Sequence, residues 1–330
     1  MRTTIATRKA RLRHGNRFPR LARPVWHLAC HALIALALAG AANAAVGADP
    51  LFTFAAFGDT PYNDEEEAAF PDFIAGLNRE DLAFAVHVGD FKSAVSACTD
   101  ARYLQRREWF ALSHHAFAYV PGDNDWLDCR RAIFDSRDPG ERLQKLRAIF
   151  FRSGNGSGQA ALQAIRQSDV SRHAYPEHLQ WQRQGVLFVT LNIPGPNNNS
   201  RDPAEQGPRN EAVSAWLDAS FRSARERGLR AVVVFMHAAP WTPEGTPRRA
   251  FRPLLEQLER ETLRFGRSVL LVHGDDHQYL VDRSLRIRKD RSPIENFTRV
   301  EVFGSPGMNW VRIRVSEDAG RITFRVTPGG

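Results

Sequence analysis

Residues 119–129 read YVPGDNDWLDC, which sets Asp123, Asn124, Asp125, Asp128 and Cys129 directly behind an apolar run. A carboxylate at the end of a buried strand costs desolvation energy unless something cationic compensates it. The arrangement recurs. Five apolar runs end in polar clusters: at Asp59, at Asp90, at Asp123 with Asn124, at His237, and at Asp275 with His277. In open α/β sheets, functional groups collect where strands end and loops begin. Five strand ends bearing ligand-type side chains are therefore expected to converge on one edge. A single such acid is accounted for as the N-cap of the following helix, but that reading fits five together poorly, because His is not a favoured cap.

The elements that must position these groups alternate along the chain. LFTFAAFGD (51–59), LAFAVHVGD (82–90) and AFAYVPGD (116–123) read as strands, separated by helical EEEAAFPDFIAGLNRE (65–80) and ARYLQRREWFALS (101–113). The pattern loosens over 130–176, which reads as an insertion with one helix, GERLQKLRAIFF, and a flexible SGNGSGQ at 153–159. It resumes with strands at 185–194, 229–237 and 268–277, helices at 210–228 and 248–266, and a tail of consecutive strands at 299–306, 309–317 and 321–328. Strand and helix alternation predicts an α/β domain with a central sheet that is at least partly parallel.

In order, the strand-end clusters read FGDTPY, HVGDFK, PGDNDW, VFMHAAP and HGDDHQY. This sequence of motifs resembles the calcineurin-like metallophosphoesterase superfamily, which includes the purple acid phosphatases, over residues 51 to about 280. The resemblance implies a two-sheet α/β/β/α sandwich with mixed sheets. It also implies two divalent cations bridged by Asp90, with Asp59 and His277 completing one side and Asp123, His237 and Asp275 the other. Asn124 would stand where the family places the histidine that assists the leaving group. Such sites activate a bridging water for in-line attack on phosphorus, so Asp90, Asp123 and Asn124 are the expected catalytic residues and a small phosphate mono- or diester the expected substrate. A register slipped by one would instead make Asn124 the ligand.

The departures from the family pattern matter as much. The usual DxH has Pro61 in place of its histidine, GNH has become Gly122-Asp123-Asn124, and GHxH has become Gly274-Asp275-Asp276-His277. Asp59, Asp90, Asp123 and Asp275 together supply −4, which cancels the +4 of two divalent ions. Oxygen-rich coordination shifts preference from zinc toward manganese, magnesium or calcium, with iron also among the candidates. A neutral site draws a phosphate dianion less strongly than a positive one. Three readings stay open: a less charged substrate, help from a basic group such as Lys92, or a degraded site in a metallophosphoesterase-like binding protein. The loop NIPGPNNNSRD offers Asn197 and Asn198 as substrate contacts, or is an ordinary turn-rich surface loop.

The first 44 residues carry eight basic residues and no acid, then the apolar LACHALIALALAG and a small-residue ANA. That order reads as a secretory signal peptide cleaved after Ala44; an uncleaved anchor is the alternative. The chain has 45 basic and 37 acidic residues, so removing those eight leaves 37 of each. The net charge of +8 thus belongs to the leader, and the remaining 45–330 lacks the basic footprint of a nucleic-acid partner. The remaining two cysteines, Cys98 and Cys129, read as one disulfide in a periplasmic or secreted protein, or as two free buried thiols. No later segment is long and apolar enough to hold the chain in a membrane. No G-x-S-x-G elbow is present, although Ser305 sits in FGSPG.

Overall fold

Every strand of the core carries aromatic or β-branched residues, and the burial of both faces decides how they stack. A computed structural model describes residues 50–132 and 135–329; the expected leader, 1–44, lies outside the described residues. The first sheet has the order β12-β11-β1-β2-β3, from β1 (Phe52–Phe57), β2 (Phe84–His87), β3 (Ala116–Tyr119), β11 (Val311–Asp318) and β12 (Arg321–Pro328). The second has the order β4-β5-β6-β7-β8-β10-β9, from β4 (Ile165–Arg166), β5 (Leu179–Arg183), β6 (Val186–Thr190), β7 (Ala231–Phe235), β8 (Ser268–His273), β9 (Leu280–Asp282) and β10 (Phe297–Glu301). Both sheets are mixed. Strands β1, β2 and β3 run parallel, as do β6, β7, β8 and β10, while the flanking strands pair antiparallel.

The sheets pack face to face through aromatic side chains. Phe54 stacks on Phe84 and meets Phe188 and Phe235 of the other sheet edge-on. The outer face of the first sheet receives α1 (Asp64–Leu77), α2 (Asp100–Ala111) and α3 (Pro139–Phe150) through Phe70, Ile74, Phe110, Leu146 and Phe150. The outer face of the second sends Leu187, Val189, Val232 and Val234 against α5 (Pro203–Glu226) and α6 (Arg252–Phe265). The result is the α/β/β/α sandwich with mixed sheets. Alternation within β6 shows the logic, since Val186 and Phe188 face the other sheet while Leu187 and Val189 face the helices.

Helix starts follow local chemistry. Asn63 caps α1 through the Glu66 amide and Asp202 caps α5 through that of Glu205. α1 continues through Pro71. Among the described residues no helix is long and apolar enough to cross a membrane.

The segment 130–176 holds more structure than its one expected helix. The glycine-rich 153–159 is no loose tether, because Ser157 and Gln159 donate backbone hydrogen bonds to Phe117 and Ser113 beside β3. A Cβ on Gly158 would collide with the His115 carbonyl, so close approach explains the glycine. The segment before residue 185 also supplies β4, a short α4 (Gln167–Val170) and β5, which forms a hairpin with β6. Phe54 is fully buried. Phe54→Ala is therefore expected to cost about 3–5 kcal/mol, read as a lower urea midpoint with an unchanged slope.

Candidate metal centre

Parallel register brings the motifs together. Phe57 pairs with His87 and His87 with Tyr119, so β1, β2 and β3 end level and release Asp59, Asp90 and Asp123 on one edge. Phe235 of β7 pairs with Val272 of β8, which brings His237 and Asp275 to the same edge from the facing sheet. His237 Nε2 lies 3.5 Å from Asp90 Oδ1, 3.1 Å from Asp123 Oδ1 and 3.8 Å from Asp275 Oδ1. His277 Nε2 lies 3.5 Å from Asp59 Oδ1.

Ligand atoms of Asp59, Asp90 and His237 lie within 4.8 Å of one another, and so do those of Asp123, His237 and Asp275. His237 belongs to both groups, and its one free nitrogen, Nε2, can ligate a single ion. His277 reaches the first group through Asp59.

The imidazoles are oriented from behind. His237 Nδ1 lies 2.9 Å from the Val88 carbonyl and His277 Nδ1 2.9 Å from that of Ser305. With each Nδ1–H donating to its carbonyl, each Nε2 faces the carboxylates, the arrangement metal-ligating histidines adopt. His237 Nε2 and Asp123 Oδ1 are both buried without a hydrogen-bond partner, although they face one another. Buried polar atoms seldom stay unsatisfied, and a cation between them would satisfy both. The donor set therefore fits a divalent metal.

The backbone is held in an unusual state to achieve this. Asp59, Asp90, Asp275 and His277 have φ of 54°, 59°, 84° and 61°. Left-handed non-glycine residues are uncommon and concentrate at functional sites. Glycines let the carboxylates approach the backbone: a Cβ on Gly122 would strike the Asp90 carboxylate, and one on Gly274 that of Asp59.

Asp125 braces two motif loops at once. Its Oδ2 accepts from the amides of Asp90 (2.9 Å) and Gly122 (2.8 Å) and from the Tyr119 hydroxyl (2.6 Å), and its Oδ1 accepts from the Phe91 amide (2.9 Å). Glu66 braces another pair, accepting from the Tyr62 amide (2.7 Å) and, through its other oxygen, from Ser305 Oγ (2.6 Å).

Tyr62 is the site residue that sequence reasoning missed. Its hydroxyl donates to Asp90 Oδ2 at 2.9 Å and accepts from Asn124 Nδ2 at 3.0 Å. The only signal was its place in FGDTPY, one residue beyond the missing DxH histidine. Asn124 donates its backbone amide to Asp90 Oδ1 (2.9 Å), while the Asp123 carboxylate, not the Asn124 amide, faces His237.

The remaining expected residues lie to one side. Lys92 is fully buried and its Nζ donates to the Ser93 carbonyl at 2.9 Å, so it reaches a substrate only by changing rotamer. Asn198 is buried, donates to Asn210 and accepts from Arg209, which commits its amide to the loop. Asn197 is exposed. Cys98 and Cys129 are disulfide-bonded, with Cα atoms 5.6 Å apart, and tie the segment just before the Thr99 cap of α2 to the turn after Asp123.

Without a cation, protons must relieve the repulsion. Burial pushes Asp275 up to about 7, with help from the Asp123 charge against the opposing charge of His237. Burial also raises Asp90. Burial alone would depress His237, but Asp90 and Asp123 outweigh it and hold the imidazole well above its ordinary range. Burial would likewise depress His277, yet the contact and charge of Asp59 raise it to about 9.

No family profile matches the chain, and no curated protein does. Solved structures share its fold. It is similar to GAP50, the anchor in the inner membrane complex of Plasmodium, at 11% identity, 84% coverage of each chain and a TM-score of 0.51. It is also similar to a dimetal phosphatase from Danio rerio at 14% identity, covering 85% of this chain and 99% of that one, with a TM-score of 0.50. The fold is of the metallophosphoesterase type.

Because the folded His277 has its pKa raised from 6.5 to about 9, its stabilisation is complete below about 6.5 and disappears as pH rises through 9. In chelator, the stability difference between the unmodified protein and His277→Ala should shrink between those values in urea titrations. A difference flat with pH would contradict the Asp59 contact.

Proposed function

We propose that this chain is an exported metal-dependent phosphoesterase that hydrolyses a phosphate mono- or diester. The observation that carries the reading is the buried cluster of carboxylate and imidazole ligand atoms, in which His237 Nε2 and Asp123 Oδ1 face one another at 3.1 Å without hydrogen-bond geometry between them. Asp59, Asp90 and His277 would hold one divalent ion, and Asp123, His237 and Asp275 a second. Such a pair supplies Lewis acidity at phosphoryl oxygens and a nucleophile from water at neutral pH. Four carboxylates against two imidazoles favour manganese, magnesium or calcium over zinc. The disulfide supports an oxidising compartment, in keeping with a cleaved leader and a periplasmic or secreted destination.

The chain's own residues then set the chemistry. The carbonyls of Val88 and Ser305 fix the two imidazoles, and Tyr62 fixes Asp90 through its hydroxyl. Asn124 can donate a hydrogen bond to a departing oxygen but cannot give it a proton. Tyr62, the adjacent hydroxyl, is a poor proton donor because burial and the charges of Asp90 and Asp59 raise its pKa. General acid assistance is typically worth about 10²–10⁴-fold, so the site suits leaving groups that depart without protonation, as aryl oxygens do.

A second reading, a binding protein on the same scaffold, is favoured by Asn124 in the place of the family's imidazole. It also agrees with the description of the Plasmodium structure as an anchor. One experiment separates the two. With manganese present, the enzyme reading expects hydrolysis of aryl phosphate mono- or diesters, reduced at least about 100-fold by His237→Ala or Asp90→Ala, the scale on which loss of one electrostatic stabiliser acts. It also expects about 2.7 kcal/mol of added stability at a hundred times the metal Kd. No turnover and no stabilisation would leave the binding reading.

A further inference from the structure

Beside the carboxylate cluster lies a cavity of about 110 Å³ whose lining includes Asp128, Arg130, Arg131, Gly195, Asn197 and Arg201. It adjoins the centre on two sides. A Cβ on Gly195 would run into the Asp275 carboxylate, and the Asp128 amide donates to the Asp123 carbonyl at 2.9 Å. The volume accommodates several waters, and therefore a phosphate- or carboxylate-sized anion.

Both walls are fixed while the charged groups are not. One wall is the 3₁₀ turn Leu127–Arg131, anchored by the Cys98–Cys129 disulfide. The other is the loop through Asn197, Asn198 and Asn199, with φ of 61°, 53° and 51°. Fully buried Arg209 holds that loop by donating to both the side chain and the carbonyl of Asn198. Arg131 is paired with Asp128 at 2.9 Å. Arg130 and Arg201 are exposed, and among the described residues neither has an ion-pair partner. Two guanidiniums thus stand over a rigid cavity next to a centre whose carboxylates would cancel the charge of two divalent ions.

We propose that this cavity binds a second anionic group of the ligand, a phosphate or a carboxylate, through Arg130 and Arg201. On the phosphoesterase reading, the preferred ligand would carry one anion at the metal-loaded centre and another in this cavity. Identifying that ligand as a substrate rests on the phosphoesterase reading; the anion site itself does not. Arginine suits the role because its planar fork pairs with both oxyanion types.

The test is calorimetric titration of chelator-treated protein at low salt with single-anion probes that need only the cavity, inorganic phosphate in one arm and acetate in the other. Expected is binding in at least one arm that weakens at least about tenfold in the Arg130→Ala/Arg201→Ala double variant, the low end for charge-assisted hydrogen bonds. Arg172→Ala, on a remote exposed side chain, should leave it unchanged, and added salt should weaken it. The Arg130→Gln/Arg201→Gln pair serves as a second variant, with thermal melting to show both are folded. Loss in the phosphate arm assigns a phosphate, and loss in the acetate arm a carboxylate. No binding by the unmodified protein, equal affinity in the double variants, or the same loss in Arg172→Ala would overturn the proposal. Since metal is absent, the result is independent of hydrolysis, and a failure of turnover in the metal-loaded protein would count against the enzyme reading alone.

Discussion

Repulsion among Asp59, Asp90, Asp123 and Asp275 is the constraint to which the architecture answers. These carboxylates meet at the ends of strands from two facing sheets, around His237 and His277, in a buried setting where each charge is costly. The left-handed backbone at Asp59, Asp90, Asp275 and His277 aims side chains inward that an ordinary strand end would splay apart. Asp125 and Glu66 then spend their own charge on backbone and hydroxyl donors of the neighbouring loops. They lock the motif loops without adding to the inward-facing cluster. A fold strong enough to hold this geometry needs a large dry interior, and the aromatic packing between Phe54, Phe84, Phe188 and Phe235 supplies it.

Much of this is legible in the sequence because period and punctuation are local. Apolar runs closed by GD or by histidine announce strand ends, and parallel register does the rest, so convergence of the six ligand candidates on one edge follows from their order alone. What is not legible depends on packing. β5 reads LQWQR, too polar to announce a strand, and it exists because its Leu179 and Trp181 bury against the core while β6 pairs beside it. The 153–159 glycines look like a tether until the backbone of β3 is seen beside them. Tyr62 and Asp125 lie inside FGDTPY and PGDNDW, but their roles arise from which loops lie next to them.

Electrostatics links the centre to its surroundings. On the phosphoesterase reading, the carboxylates that stand where the resembled pattern has imidazoles would balance two divalent ions instead of leaving excess positive charge. Attraction for an anionic ligand must then come from outside the metal ligands. The buried Lys92, whose ammonium burial pushes down to about 8, is poorly placed to provide it. The arginines over the neighbouring cavity stand at the rim, where charge is retained and the approach is open. With two divalent ions bound, such a site would be neutral at its centre and positive at its margin, and would select for shape and for a second anion.

The most direct measurement is metal content after equilibrium dialysis of the protein against manganese, determined by elemental analysis. Two manganese ions per chain are expected, with the count reduced when Asp90 or His237 is replaced by alanine. A chain that retains no manganese above the dialysis background, or retains the same amount in those variants, would contradict the account, since the carboxylates would then be held together by something other than a divalent ion.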